Sequence, residues 1–191
     1  MFEGLTWHNP PANWSLSGKR LVVETREKTD FWNRTHYGFT RKDGHFFHRE
    51  VTGDFSCEVT LHSAFECLYD QLGLMVRGDD ECWLKTGLEY SDGAAQMSTV
   101  LTRGFSDWSM CPVAASEVAR GVSIRLTRHG EALRVQQRGA DGEWKMVRLG
   151  YLDLPETCQL GLMCCSPERA GYVATFADFH ILPAISRDLH A

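Results

Sequence analysis

Within the stretch Tyr69–Ser109, Trp83, Lys85, Gly87 and Glu89 alternate with Leu84, Thr86, Leu88 and Tyr90. A β-strand sends successive side chains to opposite faces. If Leu84 and Leu88 face a core, Trp83, Lys85 and Glu89 project together from the other side. A ring, an ammonium and a carboxylate on one sheet face can hold a sugar: rings stack on its apolar C–H faces, and charged or amide groups make directional hydrogen bonds to its hydroxyls. Tyr69 and Gln71 lie before this strand, and Asp107 and Trp108 lie past the next hairpin. Trp32 and His36 come from Thr29–Gly38, a segment mixing Trp, His, Tyr and Arg with no helical or clean strand period, which is expected to lie as a loop or irregular strand over the sheet. The candidate ligand-binding set is therefore Trp32, His36, Tyr69, Gln71, Trp83, Lys85, Glu89, Asp107 and Trp108. The plain alternative is a solvated outer face on which a Lys85–Glu89 ion pair merely orders the sheet, contributing about 0–1 kcal/mol.

Catalysis has less support. Glycoside hydrolysis needs two carboxyl groups about 5–5.5 Å apart for retention or about 6.5–9.5 Å apart for inversion. The Trp83 strand offers Lys85 and Glu89, which are not two acids. Asp79 and Glu81 have an i, i+2 spacing but fall in Gly78–Glu81, which reads as a turn. An acid from another strand, Asp70 or Asp107, could pair with Glu89, and no catalytic residue is assigned. There is no G-x-S-x-G elbow, no H-E-x-x-H and no glycine-rich phosphate loop. The His45-x-x-His48 pair lacks neighbouring Cys or carboxylate ligands. Neither a metal nor a cofactor is expected.

The elements that must position the candidate set are short strands. Phe55, Cys57, Val59 and Leu61 alternate with polar residues, and the same period recurs at Leu72–Val76, Ser98–Arg103, Val122–Thr127 and Leu133–Arg138. Asp43-Gly44 reads as a hairpin signal, with His45–Val51 as the returning strand, and Asp141-Gly142 closes a hairpin to Trp144–Leu149. Trp7–Gly18, with Pro10 and Pro11, reads as an extended or looped lead-in to a strand at Leu21–Val23. Ala114–Arg120 has room for a single helical turn at most. Many short strands with glycine-rich turns and no long amphipathic helix predict an all-β, antiparallel two-sheet sandwich or jelly roll, in one domain spanning residues 1–191.

Composition narrows the partners. The formal charge of −5 and the absence of a Lys/Arg run argue against nucleic acid. No window approaches the roughly 20 apolar residues of a spanning helix, and the first residues have no export signal. Seven cysteines, an odd number at irregular spacing, fit a reducing compartment, so a cytoplasmic location is expected. In that setting the Asn13-Trp14-Ser15 and Asn33-Arg34-Thr35 triplets carry no glycan.

The segments Asp30-Phe31-Trp32, Tyr69-Asp70-Gln71-x-Gly73-Leu74-Met75, Trp83-Leu84-Lys85-x-Gly87-x-Glu89-Tyr90, Ser106-Asp107-Trp108-Ser109, Asp141-Gly142 with Trp144 and Val147-Arg148, and Ser166-Pro167 together resemble the regulation-of-enolase-like domain family of undefined function, DUF1349, within the concanavalin A-like lectin/glucanase superfamily. The resemblance implies a concanavalin A-like jelly roll with a concave face, in a superfamily where that face often binds or cleaves carbohydrate. It does not imply an activity. The leading expectation is a saccharide or similar polar small molecule on that face. The alternatives are a carbohydrate-active enzyme and a protein-interaction or regulatory module. Oligomeric state is left open.

Overall fold

A computed structural model describes residues 2–190 of the chain. From the amino end its strands are β1 (Thr6–His8), β2 (Asn13–Ser17), β3 (Arg20–Glu24), β4 (Phe31–Asn33), β5 (Thr40–Lys42), β6 (His45–Thr52), β7 (Phe55–His62) and β8 (Gln71–Arg77). They continue as β9 (Cys82–Ser91), β10 (Ala94–Arg103), β11 (Phe105–Pro112), β12 (Val122–His129), β13 (Ala132–Arg138), β14 (Trp144–Tyr151), β15 (Thr157–Cys165) and β16 (Val173–Leu182). A six-residue helix, α1 (Ala115–Arg120), joins β11 to β12.

Two antiparallel seven-stranded sheets stack face to face. One has the order β1-β6-β15-β8-β9-β10-β11, and the other β14-β13-β12-β7-β16-β3-β2. The non-sequential order, with β15 between β6 and β8 and β16 between β7 and β3, makes this a jelly-roll sandwich. Its core lies between the sheets: Leu72, Leu74, Val76, Leu84, Leu88, Met97 and Leu101 from the first meet Leu21, Leu61, Ile124, Leu126, Leu133 and Phe176 from the second. Leu61, Leu72, Leu74, Val76, Leu84, Leu88, Leu101, Ile124, Leu126 and Leu133 belong to the strands whose period-two alternation the sequence displays. The β9–β10 hairpin turns at Asp92 and Gly93, whose φ angles of 54° and 78° are the left-handed pair that a two-residue turn needs to match strand twist.

Two expectations need correction. Trp7–Gly18 contains β2, which pairs with β3 from Asn13↔Glu24 to Ser17↔Arg20. It is an edge strand exposed along its whole length, and its alternation is limited to Trp14 and Leu16 among Asn13, Ser15 and Ser17. Asp43-Gly44 does not close a hairpin onto β6. Instead β4 pairs with β5 in a separate two-stranded ribbon, and the Asp43 and Gly44 N–H groups both donate to the Asp30 carbonyl (3.1 and 3.0 Å), closing the base of that ribbon.

No helix among the described residues is long and apolar enough to cross a membrane.

Candidate functional site

The outer face of the first sheet is not solvated. Trp83, Lys85 and Glu89 on β9 are 2%, 4% and 6% exposed. Their cover is the β4–β5 ribbon, which folds across the sheet and buries a second apolar cluster of Phe31, Trp32, Phe46, Met75, Trp83, Val100, Met163 and Cys165. Polar ties hold the ribbon down. The Asn33 amide N–H donates to Ser106 Oγ (2.9 Å), Asn33 Nδ2 to the Asp80 carbonyl (2.9 Å), and Lys42 pairs with Asp80 (2.8 Å).

Between ribbon and sheet lies a cavity of about 180 Å³, lined by Asp30, Trp32, Tyr37, Phe39, Tyr69, Lys85, Glu89, Val100, Trp108, Pro167 and Glu168. Its walls are aromatic. Trp32 meets Trp108 edge to face (centroids 6.2 Å apart) and Tyr37 likewise (5.8 Å), Tyr69 meets Trp108 (6.3 Å), and Tyr37 stacks on Phe39 (5.3 Å). The Trp32 indole N–H is spent on the Thr35 carbonyl (3.0 Å), which fixes that wall to its own ribbon. At the mouth the hydroxyls of Tyr37 and Tyr69 lie 3.3 Å apart. This hydrogen bond, together with burial, pushes the Tyr69 phenol up to about 12.

The floor is a connected polar network. Lys85 Nζ donates to Asp30 Oδ1 and to Gln71 Oε1, both at 2.8 Å, and Gln71 Nε2 donates to the Tyr69 carbonyl (3.2 Å) and Asp30 Oδ1 (3.4 Å). Burial alone would pull the ammonium down, but neighbouring carboxylates, Asp30 foremost, outweigh it and hold Lys85 above its ordinary value. Beside it, Ser98 Oγ donates to Glu89 Oε2 (2.6 Å) and accepts the Trp108 indole N–H (2.9 Å). Burial raises the Glu89 carboxyl above the ordinary carboxylate range despite the opposing pull of Lys85 and Ser98. Between the two, Gly87 faces Gly73 across the β8–β9 ladder. A Cβ on Gly87 would collide with the Leu72 carbonyl oxygen and Gly73 Cα, so these backbones approach closer than any side chain permits.

The structure sorts the nine candidates. Trp32, Tyr69, Lys85, Glu89 and Trp108 line the cavity, and Gln71 stands behind Lys85 as its second acceptor. Trp83 shares their face but lies under Phe31 (centroids 6.2 Å apart), with its N–H on the Asp80 carbonyl (3.2 Å). It supports the ribbon and does not line the cavity. His36 is exposed at the ribbon tip, with φ of 61°, against Tyr37. Asp107 points to the opposite side of β11 from Trp108 and pairs with Arg148 on β14 (3.0 Å). The ion partner of Lys85 is Asp30, not the Glu89 of the plain alternative. Asp70 is fully buried, receiving Ser166 Oγ (2.8 Å) and the Arg169 guanidinium. It anchors the Pro167–Glu168 rim and offers no acid to the cavity.

Asp30, Tyr37, Phe39, Ser98, Pro167 and Glu168 are additions. A signal existed for Asp30 and Tyr37, which belong to the polar-aromatic segment Thr29–Gly38. None existed for Ser98, whose role comes from its register opposite Gly87. Of the His45-x-x-His48 pair, His45 is consumed by structure: its Nδ1 lies 2.7 Å from the Asn9 carbonyl, and its Nε2 accepts the Arg26 amide (3.1 Å). No group of three or more potential metal ligands occurs among the described residues. A wider groove of about 480 Å³ near His62, Glu66 and Arg169 is open, and its one cation is already held by Asp70 and Glu66.

Known proteins bear on this arrangement in three ways. The chain is 40% identical over 185 residues to the Saccharomyces cerevisiae protein named Regulation of enolase protein 1, a match covering 97% of this chain and 92% of that one. It superimposes, with a TM-score of 0.91 and 39% identity, on the crystal structure of a functionally unknown protein from the same yeast, over 97% of this chain and 99% of that one. A lectin from Bauhinia forficata solved with GalNAc shares the fold at a TM-score of 0.62 and 11% identity, over 98% of this chain and 95% of the lectin. The family profile described as a protein of unknown function, DUF1349, matches residues 7–184, and the chain belongs to that family.

Proposed function

We propose that the chain binds a saccharide of one ring, or a polar small molecule of that size, in the cavity between the β4–β5 ribbon and the first sheet. The observation that carries this reading is a space of about 180 Å³ walled by Trp32, Tyr37, Phe39, Tyr69 and Trp108 over a floor of Asp30, Lys85 and Glu89. Rings over apolar C–H faces and buried charges over hydroxyls are the pairing a sugar requires. A dry cavity of about 150 Å³ already accommodates benzene, so this one takes a single six-membered ring and not an oligosaccharide. Lys85 and Asp30 hold each other and fix the orientation of what sits above them. A cytoplasmic location fits the seven cysteines, all free thiols.

Titration of tryptophan fluorescence with neutral, acidic, amino and phosphorylated monosaccharides tests the reading. Saturable quenching is expected, and it is lost in Trp108→Ala. Flat responses across the whole panel would sink it.

A second reading, a regulatory module acting on another protein, draws its support from the name of the yeast relative. Enolase activity measured with and without the purified chain decides it. Hydrolysis draws on Asp30 and Glu89 lining one cavity; Asp30 Oδ1 accepts from Lys85, Gln71 and the Phe31 amide, so Oδ2 is the oxygen that would have to attack.

A further inference from the structure

Four charged side chains line the cavity, and their charges do not cancel: Lys85 stands against Asp30, Glu89 and Glu168. The ammonium of Lys85 is committed, since it donates to Asp30 Oδ1 and Gln71 Oε1 at 2.8 Å each. Asp30 and Lys85 therefore cancel one another within the floor. Glu89 is different. At 6% exposure it is buried, and the one hydrogen bond to its carboxylate among the described contacts is the Ser98 hydroxyl on Oε2. Its other oxygen accepts no hydrogen bond from a described residue, and the side chain lines the cavity. Glu168 adds a further carboxylate at the exposed rim.

The walls are aromatic. Aromatic faces carry the negative end of the ring quadrupole, and an organic cation within about 6 Å of several such faces is held by all of them. A hydroxyl-only ring would leave the Glu89 charge uncompensated, and an anionic ring would be repelled by Glu89 and Glu168 together. A protonated amine answers both features. Its N–H donates to the unengaged Glu89 oxygen, and the polarised C–H groups beside the nitrogen lie against indole and phenol faces.

Resting on the reading of the cavity as a small-molecule site, we infer that its ligand carries a protonated amine on a body the size of one ring, as an amino sugar does, with Glu89 as the anionic partner inside a box formed by Trp32, Tyr37, Tyr69 and Trp108. Glu89 is then the residue that sets specificity, while Lys85 and Asp30 set position.

The test is calorimetric titration of the full chain at neutral pH with glucosamine, glucose, glucuronic acid and cyclohexylamine, a protonated amine on a ring without hydroxyls. A charge-assisted hydrogen bond to a buried carboxylate corresponds to a preference of roughly 10-fold to 100-fold. Glucosamine is expected to bind more tightly than glucose by that factor, and glucuronic acid more weakly than either. Glu89→Gln keeps the shape and the Ser98 hydrogen bond, so it folds, which its thermal unfolding verifies. It should erase the preference, read as the ratio of glucosamine to glucose affinity within the same variant, whatever it does to the affinity for either sugar alone. Equal affinity for glucose and glucosamine, or a preference that survives in Glu89→Gln, overturns the amine inference and leaves the saccharide reading standing. Cyclohexylamine binding without any response to the three sugars overturns the saccharide reading and leaves the amine inference standing. Silence from all four ligands overturns both.

Discussion

Replacing Lys85 by Met keeps the aliphatic stem and deletes the ammonium, leaving Asp30 without its ion partner and Gln71 Oε1 without its donor. Breaking a buried pair from one side costs about 3–5 kcal/mol, because a charge is left uncompensated in a poor solvent. The Asp30 side chain retains 18% exposure, so its share falls at the low end, while the orphaned Gln71 oxygen adds about 1 kcal/mol. The expected loss is about 3–4 kcal/mol. For a chain of this length, 1 kcal/mol moves the melting point by about 2–4 °C, so Tm should fall by about 10 °C. Asp30→Asn alone should cost a similar amount, by stranding an ammonium that is 4% exposed. The Lys85→Met/Asp30→Asn double variant, with both charges gone, should cost less than either single one. Urea unfolding followed by tryptophan fluorescence at pH 7 completes this double-mutant cycle. If Lys85→Met lies within about 1 kcal/mol of the parent, or if the double variant costs the sum of the singles, the claim that ribbon and sheet are joined through this pair is wrong.

Gly87→Ala should lower stability by about 1–3 kcal/mol through overpacking between β8 and β9, and hydrogen exchange should show the added opening confined to those two strands. A loss below about 0.5 kcal/mol would contradict the close approach. Glu89→Gln tests the electrostatic floor by a pH series. Because burial raises the folded-state pKa of Glu89 above its ordinary value of 4.5, the native state holds a proton longer than the unfolded chain does. The carboxylate therefore costs stability as pH climbs from the ordinary value through the raised one. Chemical denaturation at several pH values should find the Gln variant gaining on the parent over that rise, with the gain vanishing in acid. A pH-independent difference would mean that Glu89 titrates as in water.

The strands were legible because a half-buried strand writes its orientation into alternate residues, and the inner faces of β8, β9 and β10 carry the aliphatic parity that the sequence displays. The same rule could have separated Asp107 from Trp108, since adjacent strand residues point to opposite faces. Residue type grouped them and geometry divided them. Trp83 obeyed its parity and still left the cavity, because the ribbon covers its end of β9, and parity cannot tell which part of a face is roofed. Asp30 went unmatched to Lys85 because the pairing spans 55 positions and depends on where a short ribbon folds. Edge strand β2 carries only Trp14 and Leu16 at alternate positions, and Pro10 and Pro11 just before it make the segment read as a lead-in.

The cavity is assembled from parts with different structural obligations. Lys85, Glu89 and Ser98 sit on β9 and β10, whose opposite faces hold the main core, so their backbone cannot drift without loss of the fold, and Trp108 stands beside them on edge strand β11. Tyr37 and Phe39 sit on the six-residue link Arg34–Phe39 of the ribbon, which is largely exposed and tied down mainly at its base and along β4. Recognition is thus modular: the link could be lengthened, shortened or exchanged to admit a different molecule while the charged floor stays intact. Ligand preference among proteins built on this plan would then diverge at the ribbon tip long before the sheet beneath it changed.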